Sequence, residues 1–315
     1  MVGKVTSNKK ASASILPAIM GHSKYESRNG ILEKVCKANL GEQDHWEGNE
    51  ATEWGNILEN TVLERVAERL GIEHDPDIDY AMFHPSIPLE ASLDAIGFGT
   101  GKIVSTDADA GIFVMNESGS IVLDGKGALE CKVTSVRPED QPDLARGPLQ
   151  LQGQMMCADF KWGAIGILYQ GICLRIFLFE VHEPTVKAIT EAVTDFDRRV
   201  HSAPLDWYEI DDSNDACLVY GEVKEAEVPL ELDQSYSKVL FEYVKLKTQI
   251  KDANLALDII NAEVQKDMGN HGIATVGGFT VKWPMKSYKA QPEKVVAPKD
   301  AYSIRQKTIS VREPK

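Results

Sequence analysis

The segment Gly127-Ala128-Leu129-Glu130-Cys131-Lys132-Val133-Thr134-Ser135 constrains this chain more than any other. It reads as a strand, and side chains alternate faces along a strand. Leu129, Cys131 and Val133 then project to one side, and Glu130 and Lys132 to the other. A carboxylate and an ammonium thus share one face of an otherwise apolar segment. Charged groups rarely enter a buried strand unless they are paired or bind a metal. An isolated E-x-K is ordinarily an exposed ion pair, so its meaning depends on what the rest of the chain places beside it.

At 315 residues the chain can form one large domain with an accessory region, or two small domains. With 43% apolar and 26% charged residues it can build a real core, and disorder is not the expectation. No apolar run approaches the roughly 20 residues needed to cross a bilayer. The lysines of the first ten residues precede no signal-type apolar core. Together these features predict a cytoplasmic protein with no membrane partner. The five cysteines, Cys36, Cys131, Cys157, Cys173 and Cys217, are scattered and form no CxxC pair. That argues against structural zinc or an iron–sulfur cluster and for reduced thiols. A net charge of −14 argues against a non-specific nucleic-acid binder. It suits a nucleic-acid enzyme only if basic residues gather in one place and some acids serve metal ions.

Along the chain, a helical pattern from Ser12 or Ser14 through Met20 ends in the turn Gly21-His22-Ser23-Lys24-Tyr25. Ser27 is an N-cap for a second helix carrying Ile31, Leu32, Val35 and Cys36, which Gly41 closes. A third helix is predicted over Asn49–Leu70, with Trp54, Ile57, Leu58, Val62, Val66 and Leu70 on its apolar stripe and Glu59 at the stripe's edge. Five strands follow, over Tyr80–Phe83, Ala91–Ile96, Gly111–Met115, Ser120–Leu123 and Ala128–Thr134, as an antiparallel meander. Asp124-Gly125-Lys126-Gly127 reads as a tight hairpin turn. Leu149–Asp159 reads as a helix rich in Gln and Met, followed by strands Ala164–Tyr169 and Ile172–Phe179. Pro184 opens a further helix to Val200, and 201–228 reads as an acidic linker or surface excursion.

Pro229 opens a long helix in which Tyr236, Val239, Tyr243, Leu246, Ile250, Ala253, Leu257, Ile260 and Val264 keep alternating spacings of three and four. That is a heptad seam. It suits a helix packed within its own domain or a helical hairpin, and equally a subunit or partner contact. A strand at Phe279–Trp283 and a tail rich in lysine and arginine end the chain. The tail suits a solubilising extension or a contact with a phosphate backbone. The domains expected are a core over 1–228, the heptad helix over 229–268 and a basic extension over 269–315.

Asp94 lies inside the apolar stretch Ser92–Gly97. With Glu130 and Lys132 it makes a D…E-x-K pattern, with Gln150 or Gln152 one helix later and Glu59 on an earlier helix. Hydrolysing a phosphodiester calls for hard divalent cations, which prefer carboxylate oxygen and water. Asp94, Glu130 and the backbone carbonyl of Cys131 can supply that ligation to Mg²⁺, for which Mn²⁺ is a possible substitute. Lys132 can orient the attacking water or offset developing charge, and the Gln can position that water or hold Lys132.

On these residues the chain resembles the YqaJ-type viral recombinases, the family of bacteriophage lambda exonuclease within the PD-(D/E)xK nuclease superfamily. The resemblance covers roughly residues 10–200. Its segments are Ser12-Ala13-Ser14 with the Gly21–Tyr25 turn, Gly55-Asn56-Ile57-Leu58-Glu59, Asp94 with Glu130-Cys131-Lys132, and Gln150-Leu151-Gln152. It implies an α+β fold: a restriction-endonuclease-like core whose central mixed sheet is flanked by helices, to which this chain adds a long C-terminal helix and a small β tail. It implies a Mg²⁺-dependent 5′–3′ exonuclease on linear double-stranded DNA. The 3′ overhangs would serve a single-strand annealing protein in phage-type recombination, in a bacterial host cytoplasm if the chain is phage-encoded. The site residues implied are Asp94, Glu130, Lys132, Gln152 and Glu59 for catalysis, and Ser14, Lys10, Ser23, Lys24 and Gln150 for DNA. A trimeric ring is the assembly implied.

The chain departs from the family pattern in three ways. Ala95 follows Asp94 where Gly is common, the interval from Asp94 to Glu130 is long, and no Arg precedes Ser12. Asp124 is the alternative to Asp94 as metal ligand. An endonuclease of the same superfamily and a non-catalytic scaffold remain the competing readings of function.

Overall fold

The computed structural model describes residues 6–42, 49–221 and 230–285. It divides into two compact units, Met1–Val219 and Tyr220–Lys315. In chain order the first holds β1 (Ala11–Ser12), a 3-10 turn (Ala13–Ile15), α1 (Leu16–Ile19), α2 (Arg28–Asn39), α3 (Glu50–Leu70), β2 (Glu73–Asp75), β3 (Met82–Phe83), β4 (Leu89–Ala91), β5 (Ala95–Ser105), β6 (Ile112–Val114), β7 (Ser120–Thr134), α4 (Pro148–Ala158), β8 (Trp162–Tyr169), β9 (Cys173–Glu180), α5 (Glu183–Val200) and α6 (Ser213–Val219).

A mixed sheet in the order β2-β5-β7-β8-β9-β6 forms the centre. The β5–β7 and β8–β9 pairs are antiparallel, while β7 runs parallel to β8 and β6 to β9. A parallel neighbour requires a crossover. Between β7 and β8 that crossover carries α4. One sheet face buries Ile96, Ala128, Ile165, Ile167 and Phe177 against residues of α1, α2, α4 and α5. The opposite face buries Ala95, Leu123, Leu129, Ala164 and Leu178 against Val62, Leu63, Val66 and Leu70 of α3. Helices thus cover both faces of the sheet. A smaller sheet, β1-β4-β3, lies in the same unit.

Local signals set several boundaries. The Ser27 hydroxyl accepts from the Gly30 N–H, and the Asn49 side chain from the Thr52 N–H, capping α2 and α3. Gly71 ends α3 in the left-handed conformation at φ 65°. Other expectations are corrected. The first helical pattern forms a strand and a 3-10 turn before a short α1, because Ala11 and Ser12 pair with Leu89 and Glu90 of β4. Trp54 and Ile57 of α3 are exposed, since burial on the sheet begins in earnest at Val62. Residues 201–219 are more than a surface excursion: Tyr208 packs on the core and α6 brings Asp215 to Ser27 and Asn29 of the α2 start.

The largest correction concerns Asp124–Gly127. It is no hairpin turn: Ser120–Thr134 is one continuous strand, with Asp124, Gly125 and Gly127 paired to Thr100, Gly99 and Gly97. Gly127 admits an indole rather than making a turn. A Cβ on Gly127 would come within 2.3 Å of the Trp162 ring, whose Nε1–H donates to the Asp124 carbonyl at 3.0 Å. Likewise the expected strand Ala91–Ile96 is two strands, β4 and β5, with Ser92–Asp94 as the break between them.

The second unit contains α7 (Tyr236–Met268), 33 residues long, and the hairpin β10 (Ile273–Val276) and β11 (Phe279–Lys282). The strand expected at Phe279–Trp283 is β11, and the basic tail from Lys286 lies outside the described residues. None of the described helices is long and apolar enough to cross a membrane.

Overpacking a core site typically costs about 1–3 kcal/mol. Gly127→Ala is therefore expected to lower stability by roughly that amount, against little change for the neighbouring exposed Lys126→Ala. Urea denaturation of the two variants beside the unsubstituted chain checks this.

Candidate active site

The break between β4 and β5 positions Asp94. Its carboxylate accepts the Cys131 N–H at 2.8 Å, extending the β5–β7 ladder past its last pair, Ala95↔Leu129. The N–H and C=O of one strand residue point to the same side, so the Cys131 carbonyl also faces Asp94. Glu130 is 2% exposed, although it is a carboxylate. Its Oε1 receives Lys132 Nζ at 2.6 Å and its Oε2 receives Gln154 Nε2 at 2.6 Å. Lys132 Nζ donates also to Gln150 Oε1 at 3.0 Å, and Gln154 Nε2 also to the Ser92 carbonyl at 2.9 Å. Glu130 and Lys132 therefore lie on the α4 face of the sheet, bracketed by two amides of that helix.

Helical geometry explains which glutamines arrive. Residues four apart share a helix face, while residues two apart lie about 200° round the axis. Gln150 and Gln154 meet the E-x-K pair. Gln152 instead donates to the Glu180 carbonyl at 2.8 Å and accepts the His182 N–H at 3.0 Å. It is not brought to Lys132. Gln154 was missed from the sequence, yet its i, i+4 spacing from Gln150 was the available signal. Close approach of Ala13 and Leu16 to α4 is permitted by Gly153, where a Cβ would lie 3.2 Å from Ala13 Cβ and 2.4 Å from Leu16 Cδ1.

The remaining predicted residues fall in varied places. Glu59 on α3 is half-buried, within electrostatic range of Glu130 and Lys132. Ser14 is exposed, its Oγ 3.1 Å from Ser12 Oγ. Lys10 is engaged by buried Glu90 at 3.0 Å and lies 4.6 Å from the Phe83 ring centroid. Ser23 caps its own turn, accepting from the Tyr25 and Glu26 N–H groups, and Lys24 pairs with Asp143 at 2.8 Å. Lys10, Ser23 and Lys24 are thus tied into the surrounding structure rather than to Glu130. Asp124 is exposed, six residues before Glu130 and so about 20 Å along the strand.

The electrostatics follow from this crowding. Burial, then the charge of Glu130, pushes the Asp94 carboxyl well above the usual range. Burial and Glu130 also raise Glu59. Desolvation works against the Lys132 ammonium, but Glu130 and Asp94 outweigh it and hold its pKa above the ordinary value. Burial likewise raises the thiols of Cys131 and Cys157, the latter to about 12, so neither is a thiolate nucleophile at neutral pH. Among the described residues, no three His, Cys, Asp or Glu side chains gather as a metal cage.

Similarity to solved structures is remote. An alkaline exonuclease from Laribacter hongkongensis, LHK-Exo, solved in complex with dAMP, is 19% identical with a TM-score of 0.44, over 62% of this chain and 90% of that one. A phage-related exonuclease from Haemophilus somnus 129PT is 14% identical with a TM-score of 0.40, over 59% and 92%. No protein-family model and no curated protein matches the sequence.

A carboxylate held above its unfolded pKa binds its proton more tightly in the native state, so its penalty appears as pH rises. Asp94→Asn keeps an acceptor for the Cys131 N–H and removes that charge. It is expected to stabilise the metal-free protein at pH 8 and to change stability little at pH 4, as read by denaturation at both values.

Proposed function

We propose that the chain is a divalent-metal-dependent nuclease acting on linear double-stranded DNA, hydrolysing one strand 5′ to 3′ and leaving 3′ overhangs. The observation that carries the reading is the pair of like-charged carboxylates, part-buried Asp94 and buried Glu130, close enough to raise the Asp94 carboxyl and set beside an ammonium. Two such carboxylates are unfavourable alone and favourable around a cation. Asp94, Glu130 and the Cys131 carbonyl would hold it. That sparse oxygen set fits Mg²⁺ or Mn²⁺, which keep several waters and take substrate phosphate oxygens, better than a metal needing an all-protein cage.

When bound, the cation supplies Lewis-acid activation of the phosphate and of a water. The protein's own groups do the rest. Lys132 presents a fixed positive charge where the attacking water and the developing phosphorane charge would lie. Gln150 holds that ammonium in place, and Gln154 anchors the carboxylate of Glu130. Glu59 adds a third acidic group at the rim. Ser14, exposed on the 3-10 turn, would meet a DNA end in this reading, whereas Lys10 and Lys24 would first have to leave their carboxylate partners. An annealing protein receiving the overhang, a trimeric ring around the duplex, and work in a bacterial host cytoplasm complete the proposal.

Digestion of a linear duplex labelled separately at each end, beside a closed circle, tests it. Mg²⁺-dependent loss of the 5′ label with the circle spared is expected, and EDTA is expected to stop it. Cutting of the circle would replace the exonuclease by an endonuclease, and no cleavage with any divalent metal would favour a scaffold. Glu130→Gln and Lys132→Ala are each expected to lower the rate by about 10²–10⁴-fold. As a readout independent of cleavage, Mg²⁺ is expected to raise the melting temperature of the unsubstituted chain and not of Glu130→Gln.

A further inference from the structure

The proposed nuclease site is built from residues of the first unit, and α7 belongs to the second. Its seam residues Tyr236, Val239, Leu246, Ile250, Leu257 and Ile260 are each about half exposed or more, between 49% and 61%. The seam runs from Tyr236 to Val264, and at about 1.5 Å per residue the whole 33-residue helix is about 50 Å long. Every charge of this stretch lies off the seam. Lys238, Lys245, Lys251, Asp252 and Asp258 occupy the outward face, while Glu242, Lys247 and Glu263 flank the seam. The outward face has apolar residues too, Phe241, Leu255 and Ile259, but they alternate with those charges. Only the seam is unbroken, and its period of 3.5 residues is the one that keeps two helices in register over many turns.

We infer that α7 is a self-association element, forming a parallel, in-register coiled coil with α7 of another copy. The flanking charges select the occupant and its direction. With Tyr236 and Val239 as the first two core positions, Glu242 precedes the seam position Tyr243 and Lys247 follows Leu246. In a parallel pair such positions, five residues apart, face each other across the interface. Glu242 of one copy then meets Lys247 of its neighbour at each helix–helix contact, an arrangement a threefold assembly also allows. The Lys247 side chain already lies along the seam edge, with Nζ 5.6 Å from the Tyr243 ring centroid. An antiparallel pair with Val239 opposite Val264 would instead bring Glu242 toward Glu263. The inference does not depend on the nuclease reading.

Its test is disulfide trapping in the full chain. Val239→Cys is expected to give a covalent dimer under mild oxidation that the unsubstituted chain, with its five native cysteines, does not give. Adding Ile250→Asp with Leu257→Asp is expected to abolish that dimer. Adding Leu255→Asp with Ile259→Asp on the outward face is expected to leave it, which separates loss of the seam from loss of the helix. Trapping only between Val239→Cys chains and Val264→Cys chains would overturn the parallel arrangement. A dimer that survives the seam substitutions, or no trapping in any combination, would overturn self-association through α7.

Discussion

Burying Glu130 is the constraint on which the first unit depends. A carboxylate this enclosed is tolerated only when its oxygens are satisfied, and both are: one by Lys132 from its own strand, the other by Gln154 from α4. That second partner exists because β7 and β8 are parallel, which obliges the chain to cross over the sheet and lay α4 above the same face. Strand alternation, the crossover and the i, i+4 geometry of α4 therefore converge on one point. Asp94 joins through a different device, the interruption between β4 and β5, which frees its side chain to take the Cys131 N–H. The site is made of ordinary fold mechanics, and its distinguishing feature is two like-charged carboxylates left close together.

Much of the remaining polar detail is anchoring. Glu90, Lys10 and the Ser7 N–H pin the start of the chain to β4. Asp215, Asn29 and Ser27 pin the segment after α5 to the beginning of α2. These buried acids are held by ion-pair and hydrogen-bond partners. Asp94 and Glu130 lie close enough together that the charge of one raises the carboxyl of the other.

The two units carry their apolar residues differently. In the first, apolar side chains close two cores on opposite faces of the sheet. In α7 the apolar seam is left about half exposed within its own unit, arranged with a coiled-coil period. A period that regular is wasted on a solvent-facing helix, so the surface is best understood as half of an interface.

By itself the sequence determined the parts governed by local rules. The cap at Ser27, the α3, α5 and α7 helices, and the shared face of Glu130 and Lys132 follow from periodicity and backbone preference, and they were legible. Asp94 was legible as an acid in an apolar run. Tertiary structure decided what depends on distant partners. Asp124–Gly127 looks like a turn because Asp-Gly favours one locally, yet the ladder to β5 and the Trp162 ring across the strand make it part of β7. Gln150, Gln152 and Gln154 look alike in a row, and only the docking of α4 on the parallel β7–β8 pair chose the first and third for the site and turned the second toward Glu180 and His182. Trp54 and Ile57 continue the α3 stripe in sequence, but the sheet beneath α3 covers the stripe only from Val62 onward. Local preference writes the elements, whereas burial, which depends on residues far apart in the chain, assigns their roles.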